Sequence, residues 1–590
     1  MNLVNLTING KAVAVPAGTK ILDAAKQVNI KIPSLCNMKI EEIGFVDDCA
    51  SCRVCMVTAG NKLVPACGTM VKEGMVVNTN TPEALRYRKN VVELLLSDHP
   101  QDCFTCDKCG TCELQKLASE MNIREIRFKG EKSTFRPDTS SLPIIKDTSK
   151  CVLCRRCETM CNKVQTVGAL SGLNRGFNTI VGTFFDQDLV HTDCVFCGQC
   201  VSVCPTDALI EKDNSKEAWA ALQQTEKPVI VQIAPAVRVS ICEEFGLDPG
   251  TVSTGKLISA LKQLGFDYVF DTNFAADLTI MEEANEFVER FTKGERLPIL
   301  TSCCPSWVRF CETQFPDLIP YLSTCKSPQG MFSSMARYYF ADKVLDKKPD
   351  EVIIVSIMPC IAKKYEISRE ELSKDGIQDT DISLSVREIA RMIREAGIDL
   401  VHMPESQFNS PLGNSTGAAD IFGVTGGVLE AALRTAYTDI TKMELPFNGI
   451  DFVEVRGFKG IKEATINIAG KDVRVAAASS LGHARTLMEE LRADLAAGRE
   501  PKYQVIEIMA CPGGCVAGGG QPFHHGDYEK IKARGAALYA IDSNKTQRKS
   551  HKNEDILTLY ANFLGKRGGH EAHEYLHTSY TDKSNPYTAE

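Results

Sequence analysis

At 590 residues the chain is too long for one hydrophobic core, so several domains are expected. Hydrophobic residues make up 44% and charged residues 24%, as in ordinary soluble globular proteins. A net charge of −8 without a basic tail argues against nucleic acid as a partner. The N-terminus, MNLVNLTINGKAV, has no basic region followed by an apolar run, so no signal peptide is predicted. No apolar run reaches the ~18 residues of a membrane helix, and a cytoplasmic location without membrane contact is expected.

The 25 cysteines are the abnormal feature. Most fall in tight groups, which in a chain without a secretion signal points to metal rather than disulfides. Residues 1–80 read as short strands and turns around Cys36, Cys49, Cys52, Cys55 and Cys67. A helix follows in TPEALRYRKNVVELLLSDHP, with Thr81 as its cap and Pro82 in its first turn. His99 lies just past its end, beside CFTCDKCGTC.

Between residues 140 and 215 one pattern occurs twice, as CVLCRRCETMC and CVFCGQCVSVCP. In two-cluster ferredoxins the fourth cysteine of each such run ligates the other [4Fe–4S] cluster. That assigns Cys151, Cys154, Cys157 and Cys204 to one cluster, and Cys161, Cys194, Cys197 and Cys200 to a second. Zinc also binds C-x2-C pairs, but eight cysteines in this doubled arrangement favour iron–sulfur. The first run carries Asn162 where the second keeps Pro205.

After about residue 225 apolar β-branched runs alternate with helical stretches: PVIVQIAP, YVFDTN, LPILTSCC, EVIIVSIMPC, VRVAAASS and QVIEIMAC. This texture predicts parallel sheets buried on both faces. Three phrases follow such strands: TSCCPSW at 301, MPCIAKKYE at 358 and EIMACPGGCVAGGGQP at 507. Ligands collect at the carboxyl ends of strands in open α/β sheets, so the phrases can converge. They supply Cys304, Cys360, Cys511 and Cys515, four thiolates for one more [4Fe–4S] cluster.

With these three phrases the sequence resembles the iron-only ([FeFe]) hydrogenases over nearly its whole length, and within them the catalytic subunits of multisubunit NAD(P)-linked or electron-bifurcating enzymes. The resemblance implies an H-cluster: a [4Fe–4S] cube joined through Cys515 to a two-iron unit with carbonyl, cyanide and a bridging azadithiolate. Cys304, Cys360 and Cys511 complete the cube. It makes the adjacent Cys303 the first proton relay, followed by Glu283, Ser323 and Glu286, with Arg290 near the surface. Lys363 is implied to donate to a cyanide. Ala234, Pro235, Gln329, Met358, Phe422 and Met509 would line the pocket. Ala236 stands where many relatives have serine, so a hydroxyl donor is missing. Without the resemblance, Glu283, Glu286 and Arg290 would read as a solvated helix face beside the apolar stripe of Ile280, Met281, Ala284, Phe287, Val288 and Phe291.

CRVCMV, with Cys36 upstream and Cys67 downstream, resembles the [2Fe–2S] domain of the same hydrogenases and of the respiratory NADH dehydrogenase large subunit. Its ligands are read as Cys36, Cys52, Cys55 and Cys67, with a rival set that uses Cys49 and Cys52. HPQDCFTCDKCGTC resembles their histidine-ligated [4Fe–4S] motif. That implies His99, Cys103, Cys106 and Cys112 as ligands and Cys109 as spare.

The fold expected is multidomain, α+β and α/β: a [2Fe–2S] ferredoxin-like domain (1–80), a histidine-ligated [4Fe–4S] domain (81–125) and a two-cluster ferredoxin domain (140–215). A two-lobed α/β H-cluster domain (225–525) and a polar helical segment with a ragged tail (526–590) complete it. The cofactors implied are the H-cluster, three [4Fe–4S] clusters and one [2Fe–2S] cluster. No G-x-G-x-x-G marks a nucleotide site, so NAD(P)H and flavin would belong to partner subunits in a hetero-oligomer. Ferredoxin is the other partner implied, and H2 and protons the substrates. A stand-alone ferredoxin-dependent hydrogenase, or a non-catalytic NADH dehydrogenase-type electron-transfer subunit, are the alternatives. A hydrogenase-like iron–sulfur assembly protein would lack Cys303 or the paired cysteines of the third phrase.

Overall fold

Alternating runs at the N-terminus pair as a five-stranded sheet in the order β2-β1-β5-β3-β4. Its strands are β1 (Leu3–Ile8), β2 (Lys11–Pro16), β3 (Met56–Ala59), β4 (Lys62–Pro65) and β5 (Met75–Asn78). The computed structural model describes residues 2–47, 50–445, 451–468 and 470–584. The helix Pro82–Asp98 leaves this sheet capped by Thr81, whose Oγ1 accepts from the Ala84 N–H at 3.2 Å. Next come two antiparallel ribbons, of β6 (Ile144–Lys146) with β9 (Leu209–Glu211) and of β7 (Ser171–Leu173) with β8 (Ile180–Gly182). They frame the doubled cysteine runs.

Two further sheets organise the C-terminal half. The first contains β10 (Val229–Ile233), β11 (Tyr268–Asp271), β13 (Ile353–Met358) and β16 (Ile382–Ser385), in the order β11-β10-β13-β16. All its pairings are parallel. Every residue of β10 is buried, as a strand covered on both faces requires. The small hairpin of β14 (Ser373–Lys374) and β15 (Ile377–Gln378) precedes β16. The second sheet contains β12 (Ile299–Leu300), β17 (Ile461–Ile468), β18 (Lys471–Ser479) and β19 (Val505–Met509), in the order β12-β19-β18-β17. It departs from the all-parallel expectation. β12, β19 and β18 are parallel, but β17 runs antiparallel to β18. β17 is an edge strand with one half-exposed face, where antiparallel pairing is tolerated.

The segment after residue 525 is no loose appendage. Its helix Tyr528–Asn544 buries Tyr528, Ile531 and Leu538 against Val424, Cys511 and Val516. The chain then returns across the half built on these two sheets. Thr578 donates its N–H to the Thr324 carbonyl at 2.8 Å, and Lys583 its N–H to Glu312 O at 2.9 Å. The expected ragged tail is therefore held by backbone hydrogen bonds as far as Lys583.

Candidate active site

Both C-terminal sheets turn the carboxyl ends of their strands towards one cavity of about 760 Å3. Cys303 and Cys304 follow β12, and Cys304 stands at the N-cap of the helix Pro305–Gln314. Cys360 lies two residues past β13 and Cys511 two past β19, with Cys515 in the turn beyond. Ala234, Pro235 and Ala236 come from the end of β10, and Thr272 follows β11. All five cysteines line this cavity, together with Gln329, Met358, Lys363, Phe422 and Met509. Cys303 and Cys304 thus share it despite being chain neighbours. Cys304 also packs with Leu300 and Trp307, whereas Cys303 sits only in the group of Ile280, Phe422 and Met509.

The donor set fits an iron–sulfur cube. Burial and their mutual charges push the thiols of Cys360, Cys511 and Cys515 up, and burial does so for Cys304. Four such sulfurs cannot all ionise here without a cationic partner. The protein supplies one cation, Lys363. Its Nζ is fixed by Glu366 at 2.8 Å and 3.0 Å, the Ser327 hydroxyl at 2.9 Å and the Cys303 carbonyl at 3.2 Å. Glycine shapes the walls. Gly514 has φ +103°, and a Cβ there would lie 2.6 Å from the Thr425 nitrogen and 2.7 Å from Val424 Cα. The remaining wall is apolar, from Met358, Phe422 and Met509, which keeps water off the reacting centre.

From Cys303 a line of polar groups runs outwards along the helix Thr272–Lys293. Burial, then the charge of Glu286, pushes the Glu283 carboxyl up to about 8. Ser323 is within hydrogen-bonding reach of Glu283 and donates to Glu286 Oε2 at 2.9 Å. Arg290 pairs with Glu286 and donates to the Leu322 carbonyl at 2.9 Å. Its side chain is only 4% exposed, yet it borders an outer polar cavity beside the exposed Glu289 and Lys293. Three backbone carbonyls and one carboxylate accept from the two terminal nitrogens of the buried guanidinium, while its Nε has no partner among the described residues.

The N-terminal cysteines gather as further sets. Cys151, Cys154, Cys157 and Cys204 line one cavity of about 440 Å3. Cys161, Cys194, Cys197 and Cys200 line another of about 440 Å3. The second abuts the active site, because Gly198 and Gly519 let two backbones touch. A Cβ on Gly519 would lie 2.7 Å from Gly198 Cα and 2.9 Å from the Cys197 carbonyl. Cys55 and Cys67 Sγ are 3.3 Å apart, and Cys36 makes side-chain contacts with Cys52 and Cys67. Cys49, the alternative ligand there, lies outside the described residues. His99 caps the end of the helix Pro82–Asp98, and its Nδ1 is buried without a hydrogen-bond partner among the described residues. Such an orphaned nitrogen fits a metal ligand. Cys103, Cys106 and Cys112, which follow His99 in the chain, are half-buried, and Cys109 is exposed. Lys108 and Ser51 tie these outer sets to the ferredoxin pair: Lys108 Nζ donates to the Cys204 carbonyl at 2.8 Å and Ser51 Oγ to the Cys154 carbonyl at 3.1 Å.

Comparison with known proteins agrees with this geometry. Residues 227–519 match the iron only hydrogenase large subunit, C-terminal domain, and residues 528–583 the iron hydrogenase small subunit. Residues 1–82 match a 2Fe-2S iron-sulfur cluster binding domain, and 189–210 a 4Fe-4S binding domain. Residues 88–127 match the NADH-ubiquinone oxidoreductase-G iron-sulfur binding region. The chain is 50% identical to the NADP-reducing hydrogenase subunit HndD of Solidesulfovibrio fructosivorans, over 98% of this chain and 99% of that protein. It is 39% identical to iron hydrogenase 1 of Clostridium pasteurianum, over 98% and 99% respectively. The chain belongs to the iron-only hydrogenase family. A solved apo [FeFe]-hydrogenase from Chlamydomonas reinhardtii superposes with TM-score 0.56 at 41% identity, covering 63% of this chain and 99% of that one.

The protein is thus an iron hydrogenase, an oxidoreductase, with iron–sulfur domains ahead of a mixed α/β catalytic region. Sequence reasoning missed several residues of the hydrogenase site. Thr272 lines the cavity, and its position after β11 gave the same strand-end signal as the cysteines. Glu366, three residues after Lys363, holds that ammonium in place, a spacing readable as one helical turn. Ala236, singled out in the sequence for its missing hydroxyl, does line the cavity, and the nearby Ser240 hydroxyl donates to its carbonyl at 2.9 Å. No helix among the described residues is long and apolar enough to cross a membrane.

Proposed function

We propose that this hydrogenase interconverts H2 with protons and electrons at an H-cluster whose cube is held by Cys304, Cys360, Cys511 and Cys515. The observation that carries this reading is the meeting of four cysteines from three distant strand ends in one buried cavity, with a fifth, Cys303, beside them. When bound, the cluster supplies the metal pair at which H2 is split or formed. The chain does the rest. Lys363, braced by Glu366, offers a fixed positive charge to an anionic ligand of the cofactor. Cys303 holds a proton at Sγ, because burial keeps its thiol from ionising. Glu283 holds one at its raised carboxyl, and Ser323 links it to Glu286, so each proton moves by short hops. Met358, Phe422 and Met509 exclude water from the reacting centre.

The N-terminal third serves as the electron wire. The set of Cys161, Cys194, Cys197 and Cys200 is the inner station and that of Cys151, Cys154, Cys157 and Cys204 the next. The set of His99, Cys103, Cys106 and Cys112 and that of Cys36, Cys52, Cys55 and Cys67 form two outer stations. Full-length similarity to a subunit named for NADP reduction supports a catalytic subunit of an NAD(P)-linked assembly, which we read as cytoplasmic and electron-bifurcating. Its partners would be flavin-bearing subunits and ferredoxin.

Infrared spectroscopy of the natively purified, maturase-loaded protein tests the reading. Bands of metal-bound carbonyl and cyanide that shift under H2, with roughly 20 iron atoms per chain and co-purifying flavin, are expected. An iron-replete preparation without such bands contradicts the hydrogenase site, and a flavin-free monomer that reduces only ferredoxin contradicts the assembly.

A further inference from the structure

The proton line described so far stops at Glu286. Arg290 pairs with it, but a guanidinium donates hydrogen bonds and does not release its proton near neutrality. Arg290 therefore orients Glu286 and cannot pass protons on. A second set of contacts leaves the same carboxylate. Thr324 Oγ1 donates to Glu286 Oε1 at 3.4 Å and lies 2.7 Å from His577 Nδ1. His577 Nε2 lies 3.1 Å from Glu282 Oε2. Tyr560 and the Gly568 N–H hold that carboxylate, the latter at 2.9 Å. Glu282, Glu286, Thr324 and His577 all border a polar cavity distinct from the cofactor cavity, about 710 Å3 in extent. His573, exposed, stacks on His577 at its edge with ring centroids 4.0 Å apart.

We propose that Glu286–Thr324–His577–Glu282 is the outer segment of the proton path, with His577 the residue that exchanges protons with the polar cavity. The assignment rests on the proton relay proposed above. The imidazole takes a proton at Nε2 from the cavity, steadied by Glu282. The proton on Nδ1 leaves to Thr324 Oγ1, whose own hydroxyl proton passes to Glu286 Oε1. One proton enters and one leaves, and the ring is neutral before and after, in the other tautomer. The ring then turns over about its Cβ–Cγ bond, which exchanges Nδ1 and Nε2, and the Thr324 hydroxyl rotates back, so that the first tautomer is restored before the next transfer; H2 oxidation runs the same atoms in reverse. Glu289, Arg290, Lys293, Glu295, Arg296 and His573 are the other charged or titratable groups on this cavity, and Cys325 and Tyr560 stand behind it. Imidazole is the one side chain among them able to accept at one atom and donate at another near neutral pH.

The test uses the full-length holoprotein with Thr324→Val, His577→Asn and His577→Ala, each with its iron content and cofactor infrared bands measured. His577→Asn keeps a side chain able to hydrogen-bond where His577→Ala leaves a gap. Expected are a fall in H2 turnover per loaded site of about tenfold or more in each variant and recovery by added imidazole in His577→Ala only. Slower hydrogen–deuterium exchange of the Glu286 carboxyl stretching band in His577→Asn is expected as well. Turnover within about twofold of the parent with an unchanged pH profile overturns the assignment. So does a loss that imidazole does not rescue and that leaves the exchange rate unchanged. Cys303→Ala run in parallel separates the two readings, since normal turnover there overturns the inner relay rather than this outer segment.

Discussion

Glu283 shows how a residue is set to its task by its surroundings. On a helix that buries Glu282, Glu283 and Arg290 together with its apolar stripe, the carboxyl has no solvent to stabilise its charge. Its value is raised from 4.5 to about 8. Over that interval the folded chain holds a proton that the unfolded chain has released, so folding takes up a proton. The contribution is present in full below about 4.5 and is lost as pH rises to about 8. Glu283→Gln removes it. Thermal unfolding midpoints across the interval should fall more steeply with pH in the parent than in the variant, while H2 turnover collapses in the variant. Parallel pH profiles would mean that Glu283 is ionised throughout. The sequence made Glu283, Glu286 and Arg290 visible as a stripe but not the burial of Glu283 and Arg290, because charged residues at helical spacing lie on a solvated face more often than not.

Among the elements, strand ends and the turns after them were the most legible. Cys304, Cys360 and Cys511 each follow an apolar run, and a turn phrase such as ACPGGC carries its geometry locally. Gly514→Ala tests that local geometry. A Cβ at φ +103° would sit 2.6 Å from the Thr425 nitrogen, against backbone that cannot yield. Thermal or denaturant unfolding should show a loss of about 3 kcal/mol or more, with iron lost from the catalytic site. Gly498→Ala, at φ +63° with nothing within 4 Å, should cost only about 1–2 kcal/mol. Equal losses would mean that contact at Gly514 has no special role. Pairing direction was not legible. β17 alternates as any half-exposed strand does, and nothing in Ile461–Ile468 records that it runs against β18 rather than with it.

At the scale of the whole molecule, the legible features are those whose residues lie close in sequence, and the illegible ones join distant segments. The doubled ferredoxin runs and the CRVC phrase carry their spacing within a few residues. The contact of His577 with Thr324 spans 253 positions and that with Glu282 spans 295, which periodicity does not encode. The polar composition of the C-terminal segment likewise concealed its anchorage across the catalytic half. The three strand ends meet at a single cavity, and the ferredoxin pair packs beside it through Gly198 and Gly519. On the proposed function, four sulfurs hold metal there and Cys303 carries only protons. The decisive measurement is H2 turnover against iron content, with the carbonyl and cyanide bands, in Cys303→Ala. Turnover almost abolished with iron and bands intact is the expected result; iron lost in step with activity, or turnover preserved, would contradict the division of labour between Cys303 and its four neighbours.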